Sequence, residues 1–141
     1  MNREPIYAAL FQLLSAVPGV VTASRILRHW SDVPADSQPA LFQVQKSEEA
    51  DWRGMGLPTK WVCSVEIYLY ARTSDKDAQT PSQVLNPIID AIEAAMKPAP
   101  GQEQTLGGLV SHCRIQGKVE TDEGVLGDQG VVIVPITLVT A

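Results

Sequence analysis

The amino-acid sequence predicts an α+β domain, a mostly antiparallel β-sheet with two helices packed on one face. Two stretches, residues 3–17 and 80–97, place apolar side chains at helical spacing. Four others, residues 40–45, 60–72, 109–119 and 131–140, alternate apolar and polar side chains with the period of a strand. The chain has 141 residues, 45% hydrophobic and 19% charged, so residues 1–141 read as one domain with one core rather than a disordered tail.

In the first helix Ile6, Leu10, Leu13, Leu14 and Val17 form the apolar stripe, widened by Tyr7 and Phe11. Asn2 is placed to cap it, Pro5 sits in the first turn where a missing N–H costs little, and Pro18-Gly19 stops it. Residues 20–38 are irregular, punctuated by Pro34, Asp36 and Ser37, with room for a short strand or one helical turn at residues 24–30. In residues 40–45, Ala40, Phe42 and Val44 alternate with Leu41, Gln43 and Gln45, as in a half-buried strand. Residues 47–58 read as a polar loop in which Glu48, Glu49 and Asp51 crowd together and Gly54, Gly56 and Pro58 supply the breaks; loops of this length are commonly either functional or disordered.

Residues 60–72 carry the clearest strand signal: Trp61, Cys63, Val65, Ile67, Leu69 and Ala71 project to one face, and Ser64, Glu66, Tyr68, Tyr70 and Arg72 to the other. A loop follows at residues 74–79. Thr80, Pro81 and Gln83 then offer a cap, a first-turn proline and a capping-box partner for a helix with the stripe Val84, Leu85, Ile88, Ile89, Ile92 and Met96. Inside that helix Pro87 costs about 3 kcal/mol, so a start with Asn86 as cap and Pro87 in the first position is the alternative. Residues 98–108 form a connector without periodicity. Leu109, Ser111, Cys113 and Ile115 alternate with Val110, His112, Arg114, Gln116 and Lys118, and the last strand puts Val132, Val134, Ile136 and Leu138 on one face. Between them, residues 120–130 read as a glycine- and acid-rich loop. Pro135 restricts the last strand to a sheet edge, or to a register in which its nitrogen faces away from a neighbour.

Eleven basic and sixteen acidic residues give a net charge of −5, the wrong balance for a protein that binds nucleic acid by neutralising phosphates. Glu4 and Pro5 interrupt any secretory leader, and no apolar run approaches the roughly 18 residues of a spanning helix, so a reducing cytoplasm and no membrane partner are expected. No catalytic, cofactor-binding or metal-ligating residue is expected either. His112 and Cys113 are neighbours on a strand and point to opposite faces, so the imidazole does not activate the thiol. Cys63 and Cys113 fall on core faces as free thiols, and with His29 and His112 they lack zinc-ligand spacing. The acids near Asp122 lack a calcium loop's spacing, and Gly107-Gly108 is no phosphate loop. Asp90 and Glu93 read as the solvated face of the second helix.

What stands out is surface. If the strands of residues 60–72 and 109–119 are neighbours, Glu66, Tyr68, Tyr70, Arg72, His112, Arg114, Gln116 and Lys118 make a polar face with two tyrosines, suited either to a protein interface or to solvent. Trp30 and Trp52 sit in polar, irregular stretches with little intrachain core to enter, so contact with another chain is an open reading for each, with Arg53 beside Trp52.

Several segments together are similar to the tail terminator, or tail-completion, proteins of long-tailed bacteriophages and prophages. They are the helix of residues 5–17 ending at Pro18-Gly19, Arg28-His29-Trp30, Pro39-Ala40-Leu41-Phe42, residues 61–71, 85–96, the run from Val110 through Gly117, and residues 130–139. The resemblance spans nearly the whole chain and rests on element order rather than on a diagnostic motif. It implies an α+β fold and a structural, non-enzymatic role: a hexameric ring of identical chains on the head-proximal end of the tail tube. Such a ring stops tube growth and presents a surface to head-completion or neck proteins, while DNA passes through its lumen unread. The implied location is the virion tail, after assembly in the host cytoplasm. Seven of the sixteen acids, Glu48, Glu49, Asp51, Glu120, Asp122, Glu123 and Asp128, lie in two segments, and one of these is expected to face the lumen or the tube. The alternatives are another ring of the neck, such as a head-closure or connector protein, and a small cytoplasmic ligand-binding domain.

Overall fold

Strand period and helix period are both realised where they are strongest, and the computed structural model describes residues 1–74 and 79–141. The middle of the loop expected at residues 74–79 therefore lies outside the described residues. The elements run α1 (Arg3–Ser15), β1 (Thr22–Ser24), β2 (Ala40–Asp51), β3 (Lys60–Arg72), α2 (Pro81–Ala95), β4 (His112–Ile115), β5 (Glu120–Gly124) and β6 (Gly127–Val139). The six strands form one sheet in the order β1-β2-β3-β6-β4, with β5 also paired to β6. Only β1 runs parallel to its neighbour, so the sheet is mostly antiparallel and the class is α+β.

Both helices cover the same face. Ile6, Tyr7, Leu10 and Leu14 of α1 and Leu85, Ile88 and Ile92 of α2 pack with Cys63, Val65, Ile67 and Leu69 of β3 and Val132, Val134, Ile136 and Leu138 of β6 in one buried cluster. Asn2 stands at the N-cap position of α1 but makes no side-chain capping bond. The capping box of α2 is complete, Thr80 accepting from the Gln83 N–H while the Gln83 side chain accepts from the Thr80 N–H. That start, with Leu85 buried beneath it, fixes the helix at Pro81 rather than Pro87, which is carried inside the helix on its exposed side.

Four expectations are corrected. Glu48, Glu49 and Asp51 are not in a loop: β2 continues to Asp51, and its pairing with β3 slips at Lys46. That extra residue shifts the alternation by one, turning Glu48 to the helix side, where its carboxylate accepts from Arg3 Nε at 2.9 and 3.0 Å. Residues 120–130 are likewise a β5–β6 hairpin rather than a loop, turning at Gly124 and Gly127. The strand expected at residues 109–119 shrinks to His112–Ile115, because Gly117, at φ +115°, folds the chain over Pro135. Finally, the strands of residues 60–72 and 109–119 are not neighbours; β6 lies between them.

Pro135 makes this arrangement possible. β6 pairs with β3 along nearly its whole length, while its other side pairs with β5 at residues 131–133 and with β4 at residues 136–139. Pro135 stands at the changeover, and its carbonyl accepts from the Gln116 N–H at 3.2 Å. A residue's nitrogen and carbonyl point to the same side of an antiparallel strand, so the missing N–H faces the bend between β4 and β5, where no ladder bond is required. Of the two placements open from the sequence, the second holds, in the sheet interior.

The opposite face is half covered by residues 25–38, which cross it as a strap with 3-10 turns at Trp30–Asp32 and Ala35–Ser37. Val33 of the strap packs with Ala40, Phe42 and Tyr70 beneath it in a second buried cluster. Tyr70 Oη donates to the Arg28 carbonyl at 2.7 Å. The buried amides of Gln38 and Gln129 exchange hydrogen bonds at 2.9 and 3.1 Å, and Gln129 also donates to the Ala71 and Gly130 carbonyls while Gln38 donates to that of Val33. Replacing Gln129 by Leu removes these partners and is expected to cost about 1–3 kcal/mol in denaturant unfolding, with faster amide exchange across residues 25–38. Gly130 abuts Pro81 so closely that an added Cβ meets the proline Cβ. Gly130→Ala is expected to destabilise by about 1–3 kcal/mol, read from the thermal midpoint, as α2 is pushed off the sheet.

Candidate functional site

A depression of about 680 Å³ lies between the residue 97–103 connector and β4. Within it His112 Nδ1 lies 3.7 Å from Glu103 Oε2 and His112 Nε2 is buried without a hydrogen-bond partner among the described residues, while Cys113 Sγ sits 3.5 Å from Met96 Sδ rather than against the imidazole. Burial pushes the Cys113 thiol up to about 12, so it stays protonated and unreactive at neutral pH. Burial also raises Cys63, and both cysteines are free. Among the described residues no group of three His, Cys, Asp or Glu side chains is placed to hold a metal, and no helix is long and apolar enough to cross a membrane.

The outer face of the sheet, opposite the helices, is where the polar and aromatic residues singled out in the sequence divide. Tyr70 is 3% exposed, inside the second cluster, and its hydroxyl is used by the strap. Arg72 donates to Gln129 at 3.1 Å and belongs to the same anchor. Tyr68 stays half-buried on the open part of the face, donating at 2.9 Å to Glu66, whose carboxylate is also 3.8 Å from Lys46 Nζ. Burial, then the Glu66 contact, raises the Tyr68 phenol above its ordinary value. Arg114 is exposed two strands away, opposite Thr137 of β6, so the predicted continuous polar face is interrupted by the apolar residues Ile133 and Pro135.

The two tryptophans differ. Trp30 is half-buried against the second cluster, its ring centroid 4.9 Å from that of His29. Trp52 is 73% exposed in the β2–β3 loop, beside Met55 at 92% and Leu57 at 58%. Arg53 holds that loop in shape, donating to the Pro58 carbonyl at 3.1 and 3.2 Å and to the Ala141 carbonyl at 3.3 Å. An apolar tip is thus presented on a fixed turn.

The acids separate as well. Glu49 and Asp51 lie at the β2–β3 end of the sheet, and Glu120, Asp122, Glu123 and Asp128 lie toward the β5–β6 end, from roughly 20 Å (Glu120) to roughly 40 Å (Asp128) away along β3. Glu48 is spent on Arg3, which also lies over the Trp61 ring at 4.8 Å. Glu123 is lowered by its hydrogen bond to Ser82 at the start of α2. Glu120 and Asp122 are exposed and form the rim of a groove of about 580 Å³ between β5 and Trp30, floored by Val131 and Ile133.

Sequence reasoning missed the exposed pair Ile26 and Leu27, at 77% and 43%, and the exposed Met55. Ile26 and Leu27 stand between Arg25 and Arg28 in a stretch without periodicity, an apolar pair that no helix or strand face accounts for. That was the available signal.

No family model matches the chain, and no curated protein matches it. Among solved structures, it is similar to a chain of a structure described as "Virion of native gene transfer agent (GTA) particle". The likeness has a TM-score of 0.50 at 13% identity and covers 94% of this chain and 91% of that one. At that identity it shows a shared fold over the length of both chains.

Proposed function

We propose that this chain is a structural protein of a phage-type virion, and within the virion a ring-forming tail terminator at the head-proximal end of the tail tube. The supporting observation is the likeness of fold, end to end, to a chain of a gene transfer agent particle. The surfaces agree with a building block: an exposed Trp52-Met55-Leu57 tip on a braced turn, and a sheet face covered only in part. On this reading the chain catalyses nothing. Copies of it close into a hexameric ring that covers the growing end of the tube, denies the next tube subunit its seat, and offers the other surface to a head-completion or neck protein.

The charge fits passage of DNA. At −5 per chain, six copies carry about −30 around one channel, and like charge keeps a duplex from adhering to the wall. Because the two acid clusters lie at opposite ends of the sheet, one is turned to the lumen or the tube while the other serves a different contact.

Adding the purified chain to polymerising tube subunits of the same virion is expected to shorten the tubes in proportion to the amount added, measured by electron microscopy, with six-fold rings at the capped ends. Unchanged tube length over a tenfold molar excess overturns the terminator reading.

A further inference from the structure

We infer that the segment Arg25-Ile26-Leu27-Arg28 of one copy seats in the groove between β5 and Trp30 of the next copy, and that this is the repeating contact between chains. The inference rests on the ring-forming part of the reading above and not on where the ring is placed. The two surfaces match in kind. The groove, about 580 Å³, is floored by Trp30, Val131 and Ile133 and rimmed by Glu120 and Asp122, with Lys118 at one end. The segment offers two exposed aliphatic side chains, Ile26 and Leu27, flanked by arginines. Arg25 donates to Glu4 at 2.6 and 3.0 Å and to Gln45 at 3.1 Å, which holds the segment where it leaves β1. Arg28 is exposed, its carbonyl held by Tyr70 while its guanidinium has no recorded partner among the described residues. Glu120 and Asp122 likewise have no ion-pair partner among the described residues. Apolar seating with a charged rim is the usual anatomy of a specific interface, the apolar centre giving affinity and the charges giving register.

Position supports the match. The segment follows β1, at one edge of the sheet, and the groove lies under β5, along the other edge. Trp30, two residues past Arg28, lines the groove, yet Ile26 and Leu27 stand exposed and neither lines it, so a copy does not fill its own groove; the contact joins two different surfaces of two copies head to tail, the kind that repeats into a ring when the rotation closes. Different surfaces meet at every interface, and each chain uses both.

A charge exchange tests this. Arg28→Glu alone, and Glu120→Arg with Asp122→Arg in a second chain, each place like charges across the contact, and each is expected to weaken self-association at least tenfold by sedimentation velocity while leaving the thermal midpoint unchanged. Mixed in equal amounts, the two variants satisfy every contact by alternating around the ring, and association returns to the level of the natural chain. A short bismaleimide should join an Ile26→Cys chain to a Val119→Cys chain in the mixture and neither chain to itself; Cys63 and Cys113 are buried and do not compete. If the natural chain forms rings and ends tube growth while the reversals change nothing and no mixed cross-link forms, this contact is wrong and the ring reading stands. If the natural chain stays single both in solution and on tubes, the ring reading fails and the contact fails with it.

Discussion

The pairing of β6 is the constraint from which the rest of the molecule follows. Its ladder with β3 occupies one side from Gln129 to Val139, while the other side must serve two short strands in turn. A proline at the changeover supplies the one position in a central strand where a ladder N–H is not wanted, and Gly117 allows the chain to bend across it. The same strand separates β3 from β4 and thereby decides which surface residues can act together. It keeps Tyr68 and Glu66 apart from Arg114, and it brings Val131 and Ile133 out as the floor of the groove under β5.

The two faces of the sheet are covered unequally. α1 and α2 pack on one face, where Cys63, Val65, Ile67 and Leu69 of β3 and Val132, Val134, Ile136 and Leu138 of β6 are all buried. The strap of residues 25–38 covers only part of the other, held by the Tyr70 hydroxyl and by the amides of Gln38 and Gln129. Satisfied buried amides fix a single placement of an otherwise irregular segment. Both surfaces that look designed for contact involve this strap: the aliphatic pair Ile26 and Leu27 near its start, and the groove that its Trp30 helps to line. On the proposed reading, function on this fold resides in the uncovered part of a sheet and its edges.

Much of the framework was legible in the sequence because period and burial coincide there. Residues 60–72 alternate without interruption, and the structure returns them as β3; of the two starts the sequence leaves open for α2, the Thr80-Gln83 capping box is the one formed, with Pro87 inside the helix. What failed had local causes. Lys46 inserts one residue into β2, and nothing in the alternation of residues 40–45 announces it, so from sequence Glu48 falls in a loop, whereas it pairs with Arg3. Residues 120–124 have glycine and acid composition and every side chain exposed, so β5 has no apolar face to reveal it. Tyr70 alternates correctly with Tyr68, yet its burial depends on the strap, a tertiary contact between segments far apart in the chain. The surface sites suffered most, since exposure of Ile26, Leu27 and Met55 is known only once the core has been assigned.

The central claim is that the chain works by meeting other copies through the sheet face opposite its helices and through the two edges of that sheet. Hydrogen exchange measured by mass spectrometry, comparing dilute chain with chain assembled on tube ends, tests it most directly. Assembly should slow exchange at residues 25–28 and 119–124, nearly all of which are exposed in the single chain, and leave the buried amides of β3 as they were. Protection confined to the solvent side of α1 and α2, with residues 25–28 and 119–124 unchanged, would contradict the account.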